Sequence, residues 1–290
     1  VKNILTVDVE EHFQVEAFQH VITPELWERR QSRITMNLNR LLDIFDQYGA
    51  HATFFVLGWV ADRYPHLVAM IRSRGHELAC HGYWHKSIRK MSPEEFREDL
   101  QRALAAIESA SGVKVNGYRA PTFSADRKKK WIWEALIDNG IEYDSSIYPI
   151  KHDLYGDSTA PRFPYFMSFK NGVIFEIPPT TYRVIGKSLG ACGGGTLRLF
   201  PYWYTKRALS AYNARGYAAM VYMHPWEIDP AQPRERVGLR SRVRHYTNLH
   251  RMEAKLRRLL SEYEFAPVSE VYSDFKRYFE ELEDKGVSHG

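Results

Sequence analysis

Apolar positions along the chain alternate between two rhythms. Short unbroken runs, "NILTVDV" from Asn3, "ATFFVL" from Ala52 and "HELAC" from His76, have strand length and end at polar or turn residues. Between them, apolar residues recur every three or four positions from Asn37 to Tyr48, ended by Gly49, and from Trp59 to Ser73, stopped by Gly75, which predicts two amphipathic helices. "SPEEF" opens a third helix: the Ser92 hydroxyl can accept from the Glu95 N–H, Glu95 can reach back, and Pro93 occupies the first turn, where a missing N–H costs nothing. "NGYRAP", "IEYDSS", "VIFEIPPT" and "YAAMVYMHP" read as four more strands, with helices near 129–139 and 202–215.

Regular β-then-α alternation with strands this short predicts an α/β fold with a parallel sheet, doubly wound or closed as a barrel. Residues 151–201 break the rhythm with Pro, Gly and aromatics, as in "CGGGTLRLFPY", and read as a loop-rich insertion. After Pro230, Val243, Tyr246, Leu249, Met252, Leu256 and Leu259 recur at helical spacing, and "EFAPVSEVYSDFKRYFEEL" follows. The expected organisation is a main domain over 1–230, including the insertion, and a C-terminal helical extension over 231–290 packed on it.

Composition narrows this picture. With 290 residues and 44% hydrophobic content, the chain can bury one large core, so disorder is excluded. The longest apolar run, from Ala52, is too short to span a bilayer, so no transmembrane segment is expected. Cys80 and Cys192, the two cysteines, lie far apart in no ligand spacing, which excludes a disulfide framework. The net charge of +5 is spread widely, and the dense arginines near the C-terminus fit the solvated face of a packed helix, so no nucleic-acid partner is expected.

The polar residues then fall into a pattern. Asp8 and Glu10 end the first strand, His81 the third, Arg119 the fourth, Asp144 the fifth and His224 the last. In parallel α/β folds, reactive side chains gather beyond the carboxyl ends of the strands. His81 and His85, four residues apart, would share a face on one helical turn and reach one ion, and a catalytic zinc-type site wants a third protein ligand and an open position. Period-two alternation puts Asp8 and Glu10 on one face, so that one can hold the ion while the other accepts a proton. Glu10 is the preferred third ligand, with Glu11 or no carboxylate as the alternatives. His12, His66 and His76 lack such partners and read as structural.

"LTVDVE", "HGYWH", "YRAPTFS", "YDSSIYP" and "VYMHPWE" occur in the order and approximate spacing of the polysaccharide deacetylase family, which this chain resembles over about residues 4–228. These are metal-dependent carbohydrate esterases with chitooligosaccharide-deacetylase homology, and "DVEEHF", "HPWEIDP" and the arginine-rich tail look like the branch associated with bacterial exopolysaccharide loci. The resemblance implies a distorted, incompletely closed (β/α) barrel and one divalent ion, zinc by expectation. It implies His81 and His85 as ligands, Asp8 as general base, His224 as general acid, Arg119 steadying the base and Asp144 orienting the acid. The family's motif has adjacent aspartates, whereas Val9 stands where the second would be, so the third ligand rests on the alternation argument. Trp84, Tyr148 and Trp226 flank the site as candidates to stack on a sugar ring.

The implied reaction is hydrolysis of N-acetyl groups on hexosamines of a polysaccharide or oligosaccharide, giving acetate and a free amine. Rival readings are a hydrolase of another amide, such as a sugar deformylase or a cyclic amide or imide hydrolase, and an inactive carbohydrate-binding barrel. No basic-then-apolar leader precedes the first strand, so the expected location is cytoplasmic or membrane-peripheral in a bacterium.

Overall fold

The computed structural model describes residues 1–152 and 155–273. Its strands are β1 (Asn3–Val9), β2 (Thr53–Val56), β3 (Glu77–Cys80), β4 (Gly117–Tyr118), β5 (Tyr143–Asp144), β6 (Tyr165–Phe169), β7 (Gly172–Glu176), β8 (Thr181–Val184), β9 (Lys187–Gly190), β10 (Met220–Met223) and β11 (Phe265–Ala266). The helices are α1 (Ile34–Gln47), α2 (Gly58–Arg63), α3 (Pro65–Ser73), α4 (Pro93–Ser111), α5 (Lys130–Asp138), α6 (Gly194–Leu199), α7 (Tyr202–Asn213), α8 (Leu239–Tyr246), α9 (Leu249–Glu262) and α10 (Val268–Val271).

Strands pair in parallel in the order β10-β1-β2-β3-β4-β5-β7, with β6 antiparallel on β7 and β11 also on β1. The register Thr6↔Tyr222, Val56↔Cys80, Cys80↔Tyr118 and Tyr118↔Asp144 brings the carboxyl ends to one rim. Among the described residues the sheet is not closed by strand pairing into a full ring. The free edge of β10 is instead met by the 151–201 stretch: Met220 N–H donates to Thr180 Oγ1 at 2.7 Å and Tyr222 N–H to the Cys192 carbonyl at 3.1 Å. The fold is a distorted, incompletely closed α/β barrel.

The alternation of β1 divides the core in two. Leu5, Val7 and Val9 face outward into the large cluster with Leu38, Leu41, Leu42 and Phe45 of α1. Ile4 faces inward with Phe55, Ala79, Tyr143, Phe175 and Met220, a smaller apolar plug inside the barrel. Asp8 shares this inward face at the rim end of the strand. Gly117 is required in β4 because a Cβ there would lie 2.0 Å from the Tyr143 ring.

Local chemistry explains the helix limits. The capping box at Ser92 forms as the sequence predicts, with Glu95 N–H donating to Ser92 Oγ at 3.2 Å and Ser92 N–H to Glu95 Oε2 at 2.7 Å. The predicted helix from Trp59 to Ser73 breaks into α2 and α3 at Tyr64, because Pro65 disfavours helical geometry in the residue before it. The long helix expected after Pro230 is likewise two, α8 and α9, separated at Asn248, whose φ is 60°. The 151–201 stretch holds β6, β7, the β8–β9 hairpin and α6, so β7 joins the parallel sheet from within the expected insertion. The end of the expected extension, 274–290, lies outside the described residues. No helix among the described residues is long and apolar enough to cross a membrane.

Glu11 is buried at the start of α1, which has no capping side chain of its own. Its carboxylate accepts the Arg33 N–H at 3.0 Å, the Ile34 N–H at 3.1 Å and the Ser32 hydroxyl. It thus satisfies orphan donors and sits at the positive end of the helix dipole. Glu11→Gln should cost about 1–2 kcal/mol of stability by losing charge-assisted bonds at that terminus. Thermal unfolding checks this: the midpoint should fall by a few degrees, and an unchanged midpoint would contradict the capping role.

Candidate active site

The rim beyond β1, β3 and β10 carries a cleft lined by Asp8, Glu10, His81, His85 and His224, with Phe123, Tyr222 and Gly194 forming part of its walls. Glu10 follows β1 directly, and its N–H bonds back to the Asp8 carbonyl at 3.1 Å, so the strand ends there with both carboxylates in the cleft. One ligand atom each from Glu10, His81 and His85 lies within 4.8 Å of the others, all three residues being buried.

The two histidines do not sit on a helical turn. Residues 81–85 form a tight loop in which Gly82 has φ 71° and His85 φ 50°. Asp99 of α4 holds that loop by accepting the Tyr83 N–H at 2.8 Å and the Trp84 N–H at 3.1 Å. A Cβ at position 82 would approach Asp99 Oδ2 to 2.9 Å. The imidazole centroids are consequently 5.5 Å apart.

Hydrogen bonding fixes what each ring offers. His81 Nδ1 lies 2.7 Å from the Arg119 carbonyl, which can only accept, so Nδ1 carries the proton and Nε2 keeps its lone pair. Burial holds this ring neutral by lowering its pKa to about 4. His85 Nε2 is 2.7 Å from Glu10 Oε2, yet Glu10 Oε2 and His85 Nδ1 have no hydrogen-bond partner. A buried carboxylate oxygen crowded against an imidazole nitrogen without hydrogen-bond geometry fits donors converging on a cation. Burial alone would raise the Glu10 carboxyl, but the charges of His85 and His224 outweigh it and hold the group at about 2. Glu11 points to α1, leaving Glu10 as the carboxylate in the cluster.

Around this cluster stand two groups able to move protons. Arg119, fully buried at the end of β4, donates to Asp8 Oδ1 at 2.7 Å and Thr6 Oγ1 at 2.9 Å. Asp8 Oδ2 lies 3.8 Å from His224 Nε2, and Glu10 Oε1 lies 3.6 Å from the same atom. His224 Nδ1 is 3.2 Å from Glu227 Oε2. Burial disfavours the charged ring, but Glu10, Glu227 and Asp8 outweigh it and raise the His224 pKa to about 9.

Four predicted positions stand differently. Asp144, expected to orient the acid, is instead buried below the rim, accepting from Ser146 N–H and Oγ, each at 2.7 Å. The carboxylate on His224 is Glu227. Trp84 lies off the cleft beneath Arg102, beside Tyr83 and Trp27, and lines a separate hollow with Gln19 and Lys86. Tyr148 is buried against Phe123, Tyr155 and Tyr222. Trp226 does border the cleft, but stacks between His224 at 5.0 Å and His245 at 4.2 Å, so neither face is free for a sugar. Its indole N–H donates to Glu10 Oε1 at 3.1 Å.

Sequence reasoning missed Glu227 and its buried partner Arg198, whose Nε lies 2.6 Å from Glu227 Oε1. The signal available was an acid three residues after His224 within an apolar stretch. It also missed the glycines after Cys192: a Cβ at Gly193 would lie 2.0 Å from the Tyr222 ring, so the backbone hugs the cleft wall.

Residues 31–143 match the polysaccharide deacetylase family, and residues 145–273 match a domain of unknown function, DUF3473. The peptidoglycan deacetylase-like protein FGM2 of Gibberella zeae is 29% identical over 122 residues, 41% of this chain and 35% of that protein. The peptidoglycan deacetylase of Helicobacter pylori is 29% identical over 112 residues, 39% of this chain and 37% of its own. The alignments thus span about a third of the length of these curated relatives. A Mycobacterium smegmatis structure assigned as a polysaccharide deacetylase superposes with a TM-score of 0.59 at 20% identity, covering 99% of this chain and 93% of that one, a likeness of fold. Residues 31–143 therefore carry a polysaccharide deacetylase domain, set within a fold like that of the Mycobacterium smegmatis structure.

Proposed function

We propose that the chain hydrolyses N-acetyl groups on hexosamine residues of a polysaccharide or oligosaccharide, releasing acetate and leaving a free amine. The observation that carries this reading is the buried Glu10, His81 and His85 cluster with Asp8 and His224 beside it. In this reading those three residues hold one divalent ion, zinc by preference for a site of two imidazoles and a carboxylate. When bound, such an ion supplies Lewis acidity, polarising an acyl carbonyl and bringing the pKa of a water toward about 7.

The chain's own groups do the rest. Arg119 engages Asp8 Oδ1 and orients the carboxylate, so that Oδ2 takes the proton of the attacking water. His224 presents Nε2 to the cleft because Glu227 holds Nδ1. As a cation it can donate a proton to the departing nitrogen, without which an amine is a poor leaving group. Asp8 and Glu10 keep that positive charge close to the reacting centre. The names of the relatives, peptidoglycan deacetylases, support an N-acetylated glycan as the substrate class.

Acetate release from N-acetylated oligosaccharides, measured beside formamides and cyclic imides, tests the reaction. Acetate release should dominate and vanish on chelation, returning on zinc addition; turnover only of the other amides would overturn the proposal. His81→Ala and Glu10→Gln should each lose most of the bound metal by elemental analysis while keeping the thermal midpoint, whereas Glu11→Gln should keep its metal. Asp8→Asn should retain the ion but lose turnover by about 10²–10⁴-fold, as expected for a group that moves a proton. An emptied site in Asp8→Asn would make it a ligand instead. Glu227→Gln should keep the ion and lose about 10²-fold in kcat through a misaligned and less cationic His224, and full activity would dismiss Glu227 as its positioning residue.

A further inference from the structure

The β8–β9 hairpin and the α6–α7 corner leave an apolar surface that neither the fold nor the cleft uses. Ile185 is 98% exposed at the hairpin tip, and Trp203 is 55% exposed at the start of α7. The pairing Tyr182↔Leu189 and Val184↔Lys187 puts exposed Val184 and Leu189 on the hairpin face that carries Tyr182. Tyr182 packs on Tyr204 at 5.6 Å, and Phe200 and Trp203 flank the same ring at 4.9 Å and 6.1 Å. The exposed side chains therefore gather around one buried tyrosine.

Two features argue that this surface is built for contact. The hairpin turn Ile185-Gly186 has φ 47° and 75°, the pair of positive angles for which Asn-Gly is the favoured sequence. A β-branched residue there is strained and projects its side chain into water, a double cost with no gain inside the fold. The second feature is charge. Between Glu176 and Glu227 the sequence holds no Asp or Glu and six Lys or Arg residues. Lys187, on the same hairpin face as Val184, and Arg207 border the apolar surface, Arg183 stands beside the tip on the hairpin's other face, and none of the three has a carboxylate partner among the described residues, Arg207 lying 5.0 Å from the Trp203 ring centroid.

We propose that this surface docks the protein on an anionic lipid bilayer, with Ile185 and Trp203 entering the interface and Arg183, Lys187 and Arg207 meeting headgroup charge. Aliphatic and aromatic side chains ringed by cations match that environment. A second copy of the chain would bring like charges together, and a polysaccharide would find aliphatic groups without hydrogen bonds. Docking would also hold the cleft near the membrane, since Gly194 and Gly195, which line it, begin the six-residue helix that ends at exposed Leu199.

Co-sedimentation of the full chain with phosphatidylcholine vesicles, with and without phosphatidylglycerol, provides the test. Binding should be about tenfold or more stronger to the anionic vesicles and should weaken as salt is raised. Ile185→Asn supplies the residue the turn prefers, so its thermal midpoint should equal or exceed that of the parent while vesicle partitioning falls about tenfold. Ile185→Asn combined with Trp203→Ser should remove partitioning while leaving hydrolysis of a soluble glycan unchanged. The proposal fails if the parent ignores anionic vesicles, if the stable variants bind as the parent does, or if the same substitutions abolish self-association or glycan binding instead.

Discussion

The site depends on Arg119. It is fully buried inside the barrel, over the Phe55 ring at 4.1 Å, and its guanidinium bonds Asp8 and Thr6 of β1 together with Ser145 beyond β5. Its backbone carbonyl accepts from His81 Nδ1, while its own N–H donates to the Cys80 carbonyl at 2.9 Å. One residue thereby sets the orientation of a carboxylate and the tautomer of an imidazole. A guanidinium removed from water is tolerated only with its acid in place, since breaking a buried pair costs about 3–5 kcal/mol. The geometry of the rim is thus coupled to the stability of the barrel.

A second network approaches from the other half of the chain. Arg198 of α6 bonds Glu227 and the carbonyls of Arg244, His245 and Thr247, tying the end of α8 to the cleft. Glu227 holds His224, and Trp226 between them in sequence reaches Glu10. Three stretches therefore meet: β1 with Asp8 and Glu10, the segment matched to the deacetylase family with His81, His85 and Arg119, and the segment of unknown function with His224, Glu227 and Arg198. None contains the whole set, so the domain at 145–273 contributes part of the cleft and is more than an appendage to it.

What the sequence made legible follows from how local each determinant is. The capping box at Ser92 is decided within four residues, and the strand runs by their own apolar lengths. Placement of Asp8, His81, Arg119 and His224 at one rim needed only the rule that parallel strands present their carboxyl ends together. Glu10 over Glu11 followed from alternation, although the physical reason for Glu11's absence, a helix terminus some twenty residues later that needs an anion, was not visible locally. The aromatic assignments were the least accessible. Whether Trp226 offers a face to a sugar depends on His224 and His245 covering it, a contact across some twenty residues of chain. The break between α8 and α9 was hidden because Asn248 in a left-handed conformation leaves the apolar spacing almost unchanged.

Asp144 shows why a strand-end acid need not reach the cleft. Its neighbour in register is Glu176, also fully buried. Burial raises both carboxyls, and the charge of Asp144 raises Glu176 further, well above the usual range. Burial thus works against a charge on either member of the pair, and Glu176 is held in place by the Ile147 N–H, which donates to its Oε1 at 3.0 Å. Asp144 holds Ser146, whose hydroxyl accepts the Ala120 N–H at 2.7 Å, immediately after Arg119. Asp144 thus braces the backbone that presents Arg119, while Glu227, three residues from His224, is the carboxylate that meets that ring. Two parallel strands can end in acids of the same appearance, and their surroundings decide which one, like Asp8, faces the cleft and which one, like Asp144, braces the wall.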